Sequence, residues 1–124
     1  MKLIIILSLL LMSCVAVPKF DPNQYGAVVD INIITDKTYL CKSKPQQQLL
    51  VHMLHEKVTW VQRYSLQLPK NTHANIMFNI LNKEVTEFSE VVNTGASETY
   101  CIEQLTFIRE QSTIIQRALG TTQR

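Results

Sequence analysis

His52-Met53-Leu54-His55-Glu56 is the segment richest in side chains that could do chemistry. On a helix, two imidazoles three residues apart lie one above the other and could converge on a metal ion. Glu56 follows at once and points about 100° away. This order is neither the His-Glu-x-x-His nor the His-x-x-Glu-His of helical zinc enzymes. A di-metal bundle needs Glu-x-x-His on two helices and further glutamates, a spacing missing from this chain. His52 and His55 are therefore read as part of a solvated face, and they stand only as secondary metal candidates. His73 falls on a different segment, far from them in an antiparallel pair.

Glu84, Glu87 and Glu90 read as a solvated helix face, the usual fate of such a run. No serine sits in a Gly-x-Ser-x-Gly elbow, and no glycine-rich phosphate loop is present. The expectation is a protein that is not an enzyme and holds no cofactor. Lys37, Lys42 and Lys44 form a modest basic patch that could meet an acidic helix end or anionic envelope material. Trp60 and Tyr64, one turn apart, are read as core in preference to a binding platform. A net charge of +2, with the signs well mixed, lacks the basic footprint of a nucleic-acid binder.

Three cysteines remain to be placed. Cys14 ends an apolar run, Leu3–Met12, that follows Met1-Lys2. The run is shorter than the roughly 20 residues that span a bilayer, and it has the proportions of a signal-peptide core. Leu11-Met12-Ser13-Cys14 resembles the lipobox of bacterial lipoproteins, with Leu three residues before the cysteine and a small residue just before it. The resemblance implies a leader over 1–13, a lipidated Cys14 that begins the mature chain, and a tether over 14–21. Several acyl chains would make the anchoring stable, because one chain alone binds only marginally. Val15 in place of Asp after the cysteine implies, by the same resemblance, outer-membrane sorting with the domain facing the periplasm. Plain secretion with cleavage near Val17 and an uncleaved anchor are the alternatives.

The rest of the chain is read as helices. Asp21-Pro22-Asn23-Gln24 is a helix start, with Phe20 and Tyr25 placed for a hydrophobic staple. The β-branched residues that follow favour a strand, yet Tyr25, Val28, Val29 and Ile33 recur at helical spacing. The reading is a helix over about 22–41, with a strand as the alternative. Ser43 and Gln46 start a second helix over 45–67, with Leu50, Leu54, Val58, Val61 and Leu68 on one seam. Leu49, Met53, Trp60 and Tyr64 widen that seam, and Pro69 ends the helix. Asn71 or Thr72 caps a third over 72–93, striped by Ala74, Met77, Leu81, Val85, Phe88 and Val92. Gly95 closes it. Ser97 caps a fourth over 97–119, with Cys101, Leu105, Ile108, Ile115 and Leu119 as its stripe, interrupted by Ser112. A polar tail over 121–124 follows.

Four helices with short connections predict an all-α, up-down-up-down bundle over 22–120. In it the first helix ends, and the fourth begins, at the same end. First and fourth helices are neighbours, so Cys41 and Cys101 meet and form a disulfide, while Cys14 stays the odd one. The functional expectation is a membrane-anchored envelope lipoprotein with a structural or protein-binding role and an envelope protein as partner. Small lipoproteins of phages, prophages and conjugative plasmids share this form, and some act in surface exclusion or lysis. The alternative is an envelope module that binds a small ligand or metal within the bundle.

Overall fold

The computed structural model describes residues 19–121. The expected leader, Cys14 and the tail beyond Thr121 lie outside the described residues. Helix α1, Pro22–Thr35, opens as its sequence predicts. The Asp21 carboxylate accepts hydrogen bonds from the backbone N–H groups of Asn23 (3.0 Å) and Gln24 (2.9 Å), which satisfies donors that a helix start leaves free. Phe20 and Tyr25 close the staple at 5.5 Å between ring centroids.

The far end of α1 corrects the sequence reading. The helix stops at Thr35, short of Cys41. The N–H groups of Asp36 and Lys37 bond to the carbonyls of Ile33 (3.2 Å) and Ile34 (3.0 Å), tightening the last turn. A single 3-10 turn, Thr38–Cys41, then carries Leu40 and Cys41 into the core. The buried face also differs from the expected one. Gln24, Ala27, Val28, Ile31 and Thr35 face inward, whereas Ile33 is 52% exposed. Apolar residues surround α1, so their spacing marked no single stripe.

Helix α2 is Lys44–Leu66, with the Ser43 hydroxyl accepting from Gln46 N at 3.4 Å. Leu50, Leu54, Val58 and Val61 are buried as expected, joined by Val51; Leu49 is exposed, and Leu68 lies beyond the helix. Helix α3 is Thr72–Thr94. Asn71 occupies its cap position without capping it, and instead donates to the carbonyl of Ser65 at 3.0 Å. That side chain closes α2 where it was expected to open α3. Gly95 ends α3 at φ 117°, a conformation that costs glycine least. Helix α4 is Glu98–Gly120, and Ser97 caps it through Tyr100 N at 3.0 Å.

The helices pack antiparallel in a ring, α1 on α2, α2 on α3, α3 on α4 and α4 on α1. Phe78, Phe88, Ile31, Leu54, Leu81 and Leu105 fill the centre. Cys41 and Cys101 are disulfide-bonded with Cα atoms 5.6 Å apart, joining the end of the 3-10 turn to the start of α4. The α1–α4 seam is partly polar. Asn32 donates to Gln116, Ser112 donates to Asn32, and Gln116 donates to the Tyr25 hydroxyl at 3.3 Å. Ser112, which breaks the apolar stripe of α4, is thus a buried partner of α1. Gln24 and Ser65 make a second buried pair, at 2.8 Å, between α1 and α2.

Candidate functional site

His52 reaches Glu56, the residue one turn on, at 3.2 Å, and both are well exposed. With His55 it lines a shallow recess against Ser89, Glu90 and Asn93 of α3. Among the described residues no three His, Cys, Asp or Glu side chains gather to hold a metal ion. His73 sits in the first turn of α3, at the other end of α2 from His52 and His55. Glu87 and Glu90 are exposed. Glu84 and Glu87 act on Tyr100, whose phenol is raised above its ordinary range by burial first and by their charges second. Lys42 and Lys44 are exposed where α2 begins. The ion pairs of the described residues are His52–Glu56, Lys57–Asp30 and Arg109–Asp36, none of which links the lysine patch to α3.

Trp60 and Tyr64 depart most from their sequence reading. Trp60 is 48% exposed and lies outside the core. Its ring stacks on Tyr64, with centroids 4.9 Å apart and planes 9° from parallel. The Tyr64 hydroxyl donates to the Asp21 carboxylate at 3.0 Å and accepts from the Asn23 amide at 3.3 Å. Asp21 therefore caps α1 and fixes the aromatic pair on α2 with the same oxygens. One turn along, Lys57 reaches Asp30 at 3.2 Å. The stack is held at its foot by the chain's own hydrogen bonds, while the indole is half-exposed.

Trp60 borders two concavities. One, of about 360 Å³, lies between its ring and α1, lined by Asn23, Gly26, Asp30 and Lys57. A Cβ built on Gly26 would meet nothing within 4 Å. The other is a larger open groove of about 840 Å³ that runs from Ile34 and Met53 past Trp60 to Tyr64 and Gln67. Ile33 and Leu49, both 52% exposed, add apolar surface on the outer sides of the same two helices.

This face suits non-covalent recognition. A rigid, half-exposed tryptophan beside apolar side chains, with one ion pair at the rim, has the makeup of an interface anchor. The signal was present in the sequence. Trp60 is about 100° round the helix from Val61 and about 200° from Val58, so it falls off the seam those residues define. No helix among the described residues is long and apolar enough to cross a membrane. No family model, curated protein or solved structure matches this chain.

Proposed function

We propose that this chain is a lipid-anchored envelope protein with a non-catalytic, protein-binding role, and that it meets its partner on the α1–α2 face around Trp60. The observation that carries the reading is the exposed Trp60–Tyr64 stack, fixed in place by Asp21. Large aromatics in such positions supply much of the energy of protein interfaces, and pre-organisation lowers the entropy lost on binding. The lipobox-like Leu11-Met12-Ser13-Cys14 supports the anchor, and a buried disulfide suits an oxidising compartment such as the periplasm. Surface exclusion and lysis are roles that this form allows.

A photo-crosslinking residue placed at Ile33 or Leu49 should trap a defined envelope protein in native cells, and Trp60→Ala should abolish the adduct. The same probe at Thr106, exposed on α4, should trap nothing. Equal adducts from both faces would sink the docking assignment. For the anchor, a palmitate analogue should label the wild type and not Cys14→Ser.

The recess between Trp60 and Gly26 favours a second reading, a small ligand held between α1 and α2. A native-state ligand raises the melting temperature by mass action. Zinc, copper and lipid are the probes, and a shift lost in Trp60→Ala would move the assignment to this reading.

A further inference from the structure

Charge is distributed unevenly between the two ends of the bundle. Where the chain enters α1, α2 ends, α3 begins and α4 ends, the exposed cations are Lys19, Arg63, Lys70 and Arg117. The carboxylate among them is Asp21, whose oxygens are taken by the α1 amides and the Tyr64 hydroxyl. Glu87, Glu90, Glu98 and Glu103, all exposed, gather toward the opposite end, where the disulfide lies and where Lys42 and Lys44 are the exposed cations. The basic end also shows apolar surface: Leu66 is 66% exposed between Arg63 and Lys70, and Trp60, 48% exposed, lies less than two turns earlier on α2, about 120° round the helix. Cations around an exposed leucine, with an indole at the margin, are the composition of a surface that rests on a charged bilayer.

We infer that this end, carrying Lys19, Arg63, Lys70 and Arg117, rests on an anionic lipid surface and holds the bundle upright with the α1–α2 face turned sideways. The inference rests on the anchored reading of Cys14 and deepens it. Lys19 is five residues from Cys14, a contour of at most about 20 Å. An anchor at Cys14 therefore keeps the basic end close to the headgroups, within a few screening lengths at physiological salt. Each cation that reaches an anionic leaflet favours contact by roughly fivefold. At the far end four exposed glutamates outnumber the exposed Lys42 and Lys44, so that end offers the leaflet no net positive charge and the basic end is the one it favours.

The sole tryptophan, Trp60, reports on this directly. The full chain, purified from envelopes in detergent, is reconstituted with vesicles carrying a headgroup spin-labelled lipid. Co-sedimentation with neutral phosphatidylcholine vesicles reads the anchor alone. Quenching of Trp60 reads the position of the basic end. With about 30 mol% phosphatidylglycerol, quenching should exceed the neutral-vesicle value about twofold, and it should return to that value near 0.5 M salt. The variant Arg63→Glu, Lys70→Glu, Arg117→Glu should co-sediment normally and lose the excess quenching. Reversing Lys42 and Lys44 at the other end should leave it intact, and far-UV circular dichroism confirms that both variants are folded. Co-sedimentation without salt-sensitive quenching, or excess quenching that survives the triple reversal, overturns the inference. Excess quenching on anionic vesicles without co-sedimentation on neutral ones upholds the basic end and overturns the anchor.

Discussion

Asp21 shows how much one side chain can join. Its carboxylate accepts from two α1 amides and from Tyr64 on α2. Asp21→Ala should cost about 1–2 kcal/mol, the upper range for a lost cap, because it also frees the aromatic stack. Tyr64→Phe removes the second link alone and should cost about 1 kcal/mol. Chemical denaturation of the two variants checks both values. Trp60→Ala should change stability by less than about 0.5 kcal/mol, in contrast with Phe88→Ala in the centre of the core, at about 3–5 kcal/mol. A large loss from Trp60→Ala would mean that the indole supports the fold. Tyr100 sets an alkaline limit. Its folded pKa is raised above 10.0, so the unfolded chain ionises first. The stability it lends is whole below pH 10 and is lost as pH climbs through the raised folded value. Tyr100→Phe should flatten the fall of melting temperature above pH 10. At this scale the caps Asp21, Ser43 and Ser97 were legible, because capping needs only local geometry. The exposure of Trp60 was misread because its neighbours Val58 and Val61 are core, and proximity in sequence outweighed angle on the helix.

Among the helices, α3 and α4 follow their sequence closely, since one clean apolar stripe determines which side faces in. Helix α1 does not. Its apolar residues encircle it, and its true inner face includes Gln24 and Thr35, which periodicity cannot nominate. Such polar positions are recognised only with their partners, Ser65 on α2 for Gln24 and Arg109 on α4 for Thr35. The same holds for Asn71, whose hydrogen bond to Ser65 lies back along the chain. Gly26 belongs to this scale too. It sits inside α1 with no neighbour that a methyl group would strike, so Gly26→Ala should stabilise the protein by about 0.5–1 kcal/mol. Thermal unfolding reads that gain. If a ligand or partner approaches the helix backbone there, the same substitution weakens binding while it strengthens the fold.

For the whole molecule, the bundle topology and the cysteine pairing were legible together. Short connections dictate antiparallel neighbours, and those neighbours bring Cys41 to Cys101. The disulfide closes a loop of 60 residues and should contribute about 4 kcal/mol in the chain-entropy picture. Replacing both cysteines with serine should lower the unfolding free energy by that amount. Mere loss of a few tenths would show that the unfolded chain gains little freedom. The concave α1–α2 face beside Trp60 was not legible, because it forms between two helices, and the charge asymmetry emerges only once four segments are folded side by side.

The disulfide also governs how the protein answers a pull. It lies at the end of the bundle opposite the point where the chain enters α1. Tension applied at Lys19 and Thr121 can draw out the first segment as far as Cys41 and the last as far as Cys101. The loop between them is bypassed by a covalent strut. The oxidised chain can therefore lengthen by contour of only about 150 Å, against about 360 Å once reduced. For a pull between those two points, that strut is a mechanical stop. Under load α1 and the later turns of α4 can be drawn out, while α2, α3 and the first turn of α4 carry no tension.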